Sequence, residues 1–198
     1  MIGAGGHAKV VIATLRAAGA EVDAVLDDDD RKWEAELLGV PVRGPVAVLG
    51  GGRWGRAILA IGDNRIRRRL AAELGALEGL EWARAVHPSA VVHASVELAP
   101  GTVVFAGAVV QPDVRIGGHA IVNTGATVDH DCRVGDFVHV APGSHLAGSV
   151  VVGEGALLGI GSAFMPGVRI GAWATVAAGG VVVGDVEAGA TVKGVPAR

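Results

Sequence analysis

Hydrophobic residues recur every six positions from Val86 to Val182 without a slip, through Val92, Leu98, Val104, Val110, Ile116 and Val122 and on to Val176. Four residues after each marked position stands something small or β-branched, such as Ala90, Thr102, Ala126, Cys132, Ser144 and Val168. A fixed short period of this kind marks a β-solenoid, whose repeats cannot bury their apolar faces alone and become stable by stacking. The first 84 residues follow another rhythm. Behind Met1-Ile2 and the turn Gly3-Ala4-Gly5-Gly6-His7, apolar residues at Ala8, Val11, Ile12, Leu15 and Ala18 predict an amphipathic helix closed by Gly19. Val22 to Leu26 and Ala57 to Ile61 read as strands, the first ended by Asp27-Asp28-Asp29-Asp30. Gly62-Asp63-Asn64 then leads a second helix from Arg65 to Leu74, with Gly75 as its stop.

The sequence therefore predicts two domains: a small α/β, half-Rossmann sheet over residues 1–84 and an all-β solenoid of hexapeptide repeats over 85–198. A glycine turn of this type needs a strand ahead of it, and only Met1 and Ile2 stand there. The first strand accordingly reads as truncated.

Composition sharpens this picture. Hydrophobic residues make up 51% of the chain but aromatics only 4%, beside 32 glycines, so the core must be built from small aliphatic side chains on tightly turning backbone. A formal charge of −3 lacks the basic excess that phosphate neutralisation requires, and no nucleic-acid partner is expected. The single cysteine leaves no intrachain disulfide and no multi-cysteine zinc site. Cys132 falls in one of the small slots of the repeat, where it acts as a small hydrophobe. With neither a membrane-length apolar run nor a signal segment, no membrane insertion is expected and the cytoplasm is the expected compartment.

Two segments suggest chemistry. The glycine turn opens a helix whose free N–H groups and dipole attract phosphate, and Gly3-x-Gly5-x-x-Ala8 fits the dinucleotide fingerprint loosely. Asp27, some twenty residues on, is placed to meet a ribose, while Asp29 and Asp30 read as simply solvated. Of the seven histidines, His87, His93 and His119 read as surface or satisfied polar residues. The block Asn123-Thr124-Gly125-Ala126-Thr127-Val128-Asp129-His130-Asp131 differs, because it flanks an imidazole with carboxylates where the repeat turns a corner. A neighbouring carboxylate orients a histidine and raises its basicity, which is what a general base requires.

The hexapeptide repeat, the opening Gly-Ala-Gly-Gly-His, Ala60-Ile61-Gly62-Asp63-Asn64, the Asn123 to Asp131 block and the closing Lys193-Gly194-Val195-Pro196-Ala197-Arg198 together resemble the bacterial nucleotide-sugar acetyltransferases. That family includes sialic acid O-acetyltransferases and N-acetyltransferases of amino-sugar nucleotides. The resemblance implies a left-handed parallel β-helix with three hexapeptides per coil, assembled as a homotrimer with active sites between neighbours. It implies acetyl-CoA as co-substrate, a nucleotide sugar as acceptor, and no metal. His130 matches the family's base and Asp131 the acidic residue that strengthens it. Gly148, eighteen residues after His130, would stack one coil away with its N–H toward the thioester carbonyl. His139, Ile160 and Ala178 match acetyl-CoA contacts; Ala178 replaces a glycine of some relatives, so only a main-chain contact carries over. Gly5, Gly6, His7, Asp27, Asp28 and Gly62 match the nucleotide-sugar site. His145 matches nothing and reads as a surface residue.

Other readings of the same repeat are a γ-type carbonic anhydrase and a non-catalytic trimeric scaffold. The first needs three zinc-binding histidines in a spacing that the seven do not offer. The second leaves the His130 corner and the glycine turn unused. A redox NAD enzyme would need a second half of the dinucleotide fold, which does not follow.

Overall fold

The six-residue beat becomes three stacked faces in the computed structural model, which describes residues 1–52 and 54–198. Each repeat contributes a two-residue strand and then turns a corner, so the strands sort into parallel sheets of seven, six and five. The first face runs through Ala85–Val86, Val103–Val104, Ile121–Val122 and His139–Val140 to Thr191–Val192. The second includes Val109–Val110, Thr127–Val128 and His145–Leu146, and the third Arg115–Ile116, Arg133–Val134 and Val151–Val152. Ile121 pairs with His139 and Thr127 with His145, so residues eighteen apart stack. Register breaks only at the last coil, where Thr175 pairs with Thr191.

Both marked positions of each repeat point inward. Val104, Val122, Val140, Leu158 and Val176 fill one part of the core, and Ala108, Ala126, Cys132, Val150 and Ala174 another. Polar residues in the small slots are satisfied locally: Thr102 Oγ1 donates to Gly117 O at 2.8 Å, and Ser162 Oγ to Gly159 O at 2.7 Å. Burial pushes the Cys132 thiol up to about 11, which leaves it un-ionised at neutral pH.

The amino-terminal layer is a parallel sheet reduced to its minimum. Met1 to Gly3 bond Leu26 on one side and Ile58 and Ala60 on the other, so this short segment occupies the central strand position that the sequence left in doubt. The sheet extends outward through Val25 to Pro41 and Arg43, and through Ala57 to Ala83. The helices are α1 (Gly6–Ala17) and α2 (Asn64–Leu74). Asp63 caps α2 by accepting from Ile66 N at 2.8 Å, a contact of a type contributing about 1 kcal/mol. Ala8, Val11, Leu15, Ile58 and Ala60 pack directly on Ala85, Val103, Phe105 and Ile121, which clamps the layer to the first face of the solenoid.

Candidate active site

His130 and Asp131 are the two turn residues at the corner between the second and third faces. The turn requires φ of 60° at Asp131, a left-handed conformation that aspartate tolerates better than most residues. Asp131 Oδ2 lies 2.8 Å from His130 Nδ1, and Asp129 Oδ1 accepts from His130 N at 2.7 Å. The hydrogen bond to Asp131, with the charges of Asp129 and Asp131, raises the imidazole above the ordinary histidine value. With the Nδ1 proton held by a carboxylate, Nε2 is the basic nitrogen. A Cβ on Gly148 would stand 2.5 Å from Cε1 and 2.6 Å from Nε2 of that ring, so only glycine leaves room for it. Ser149 N donates to His130 O at 2.9 Å, whereas the Gly148 N–H donates to no group among the described residues.

The glycine turn forms a second centre. Gly3, at φ 100°, passes so close to Ala60 and Ile61 that a Cβ would meet Ile61 Cγ1 at 2.8 Å. Gly5 caps α1 and, like Gly6, is open to solvent. Asp27 Oδ2 accepts from Ala4 N at 2.7 Å, Oδ1 from Asp29 N at 3.0 Å, and Lys32 Nζ lies 3.0 Å away. Burial pushes the Asp27 carboxyl up, but these N–H groups and Lys32 outweigh it and hold the group below its usual range. Asp28 Oδ1 accepts from Val46 N at 2.8 Å and remains exposed. The expectation that Asp29 is simply solvated is corrected: it caps the short helix Asp30–Lys32 and pairs with Arg31 at 2.8 Å.

Between these centres lies a buried junction. His7 packs edge-on to Phe105 with ring centres 5.3 Å apart and approaches His139 at 6.2 Å. Asn123 Nδ2 lies 2.9 Å from His139 Nε2, and Asn123 Oδ1 accepts from Thr124 N at 2.8 Å, which fixes the amide nitrogen toward the imidazole. The Gly62 main chain adjoins the same ring and favours its charged form. Burial first, and the Arg67 charge second, push both His7 and His139 down to about 4, so both rings are neutral at physiological pH. His119 also departs from its expected surface or satisfied role. It is buried, stacked on Phe137 at 5.3 Å, edge-on to Trp82 at 4.7 Å, and its Nδ1 has no hydrogen-bond partner among the described residues.

His7 and His139 thus meet on the covered first face with Gly62 adjoining them, while Asp27 fastens the glycine turn that carries Gly5 and Gly6, and Asp28 holds Val46 N. Ile160 and Ala178 stack at the corner between the first and second faces, both exposed, Ile160 by 61%. His130, Asp131 and Gly148 occupy the opposite edge of the second face. One chain therefore divides the expected residues between the two edges of a single face. His139 stands beside the glycine turn rather than with Ile160 and Ala178. Sequence reasoning assigned no role to Lys32, Arg67 or Asn123. The one available signal was helical spacing, since Arg67 shares the buried face of α2 with Asn64, Leu70 and Leu74.

Residues 1–74 match the family model described as the PglD N-terminal domain. UDP-N-acetylbacillosamine N-acetyltransferase of Bacillus subtilis (strain 168) is 40% identical over 112 residues, 54% of this chain and half the length of that enzyme. A histidine-to-asparagine variant of perosamine N-acetyltransferase from Caulobacter crescentus, with CoA and GDP-perosamine, is 48% identical over 100% of this chain and 93% of its own, with TM-score 0.94. The acetyltransferase domain of PglB from Neisseria gonorrhoeae, with acetyl coenzyme A, is 39% identical over 100% and 96%, with TM-score 0.92. Among the described residues, no three side chains of the kind that hold a metal ion come together, and no helix is long and apolar enough to cross a membrane.

Proposed function

This chain belongs to the bacterial nucleotide-sugar acetyltransferase family, with its amino-terminal α/β domain and left-handed β-helix, and on that basis we propose that it acetylates the amine of a nucleotide-linked amino sugar from acetyl-CoA. The observation that carries the proposal is the His130–Asp131 pair over Gly148. Of the three histidines matched to the expected site, His7 and His139 are held neutral and weakly basic near 4, while His130 is raised and open to solvent. His130 Nε2 takes a proton as the amine attacks the thioester carbon. The tetrahedral oxyanion meets the free Gly148 N–H, the C–S bond breaks, and the proton passes to the departing coenzyme A thiolate. N-acetylation is favoured over O-acetylation because the relatives at 40% and 48% identity are N-acetyltransferases. A GDP-linked sugar ranks first as acceptor, because the relative at 48% identity over the whole chain is in complex with GDP-perosamine.

The same proposal includes a homotrimer. The amino-terminal layer covers the first face, and the third carries Glu97, Arg115, Arg133 and Arg169, whereas the second presents Val91, Val109, Thr127, His145, Ala163 and Val181. Val91 is 63% exposed. Burying this face against a three-fold axis would bring the His130 edge of one copy to the Ile160 edge of the next, beside its glycine turn. Acetyl-CoA and a sugar nucleotide as substrates are the support for a cytoplasmic assignment. Coenzyme A release, followed with GDP- and UDP-linked amino sugars, tests the activity. Failure to release it with any such acceptor would remove the reading.

A further inference from the structure

Arg67 is 1% exposed, yet no carboxylate bonds its guanidinium among the described residues. Burial pushes it down only to about 10, so it remains charged at neutral pH. Its donors are spent on main-chain carbonyls of both domains. Nη1 donates to Ile61 O at 3.1 Å and Gly62 O at 2.9 Å in the loop that precedes α2. Nε donates to His119 O at 3.0 Å and Nη2 to Phe137 O at 2.7 Å at a solenoid corner. A planar fork can serve four carbonyls at once, which a point-charge ammonium cannot. The Gly62 main chain also adjoins the His139 ring, whose Nε2 lies 2.9 Å from the Asn123 amide nitrogen. A continuous chain of contacts therefore runs from the guanidinium to a side-chain amide beside the Ile160 corner.

We infer that Arg67 is a positioning residue for the nucleotide-sugar half of the site, setting the Gly62 loop, and through it His139 and Asn123, at fixed places relative to the solenoid. The inference rests on the acetyltransferase reading above, which puts the sugar nucleotide beside Gly62. Arg67 touches no substrate. Its action is to make the turn that holds the nucleotide and the coil that receives the sugar one rigid frame, so that the amine arrives at a constant depth.

The test is calorimetric binding of GDP-perosamine and of coenzyme A to wild type, Arg67→Lys and Asn64→Ala. Asn64 is the control, because its amide ties the same helix to Gly155 O and Ala156 O at 3.0 and 3.1 Å without joining the Gly62–His139–Asn123 chain. Arg67→Lys should weaken GDP-perosamine binding by about 10-fold and leave coenzyme A within about 2-fold, since the charge stays and the fork is lost. Asn64→Ala should lower the melting temperature with both affinities kept. Equal affinities in Arg67→Lys and wild type would reduce Arg67 to a tie between domains and overturn the inference. In the unmodified protein, the Arg67 guanidinium resonances should resist solvent exchange and shift when GDP-perosamine saturates the site. Indifference to the ligand overturns the inference even where the variant does not fold. Wild type that binds the sugar nucleotide but releases no coenzyme A removes the acetyltransferase reading alone, and binding still decides on Arg67. Wild type that binds neither GDP- nor UDP-linked sugars overturns both.

Discussion

The base proposed at His130 has no buried pocket around it. An exposed imidazole would ordinarily gain little from a surface carboxylate, but the left-handed backbone at Asp131 fixes the acid beside Nδ1, and Gly148 leaves the ring a flat bed. His130→Ala should therefore lower kcat by about 10²–10⁴-fold with coenzyme A affinity largely kept. Asp131→Asn should cost less and change the pH profile. Asp131 raises the histidine, and on the proposed mechanism only deprotonated His130 is active, so activity should fall as pH drops through its value. Removing the carboxylate lowers that value, and the acid limb of kcat/KM should move to lower pH. A limb that stays in place would mean that another group controls it. Gly148→Ala is the companion variant: its methyl would push into Cε1 and Nε2, and kcat should fall while the melting temperature changes little.

The elements differ in how far the sequence announces them. The solenoid was legible almost residue by residue, because its period is fixed by stacking and each repeat buries the same two positions. Helix ends were readable too: the predicted Ala8–Ala18 and Arg65–Leu74 became Gly6–Ala17 and Asn64–Leu74. Gly75, read as a stop, has φ −64°, so this helix does not end on a left-handed glycine. The amino-terminal strands were harder, since the sheet is held by single bridges at Val25, Leu26, Ile2 and Leu59 that leave no long alternation. The candidate site was legible only where residues are adjacent in sequence, as His130 and Asp131 are. Arg67 lay hidden in a run of arginines, and only packing against His119 and Phe137 separates it from Arg68 and Arg69. Asp27 shows the same limit, since nothing local reveals that it fastens Ala4 of the glycine turn. Asp27→Ala should raise KM for the sugar nucleotide, with that for acetyl-CoA unchanged, and also lower the melting temperature. Asp28→Ala should raise the same KM with a smaller thermal effect, because its carboxylate accepts one main-chain bond and remains exposed. Equal weakening of both substrates would count against a dedicated nucleotide pocket.

For the whole molecule, the division of faces leads to a test of assembly: light scattering should give three times the chain mass of 19.8 kDa, and a fully active monomer would sink the shared site. The join between the domains leads to a second test, on acid stability. His7, His119 and His139 each sit near 4 in the folded protein, chiefly through burial and then through the Arg67 charge, with Asp136 opposing it at His119. Unfolded, each would return to an ordinary 6.5. Between these values the unfolded chain binds more protons than the folded one, so acidification favours unfolding. Each such proton contributes a slope of about 1.4 kcal/mol per pH unit, and all three act on the same junction. Stability should be full above roughly pH 6.5 and should fall as the pH drops toward 4. In the window from pH 7 to 5 ordinary carboxylates contribute little, while the buried Met1 amine, lowered to about 6, adds to the fall above pH 6 and the raised His130 opposes it. Scanning calorimetry across that window should show a steadily falling melting temperature in wild type. His119→Asn keeps a side chain that tolerates the φ of 54° at this corner and removes one of the three junction titrations, so its slope should be shallower. A wild-type melting temperature that is flat from pH 7 to 5 would mean that the junction histidines take up protons in place, and that the Arg67-centred contact is looser than its hydrogen bonds indicate.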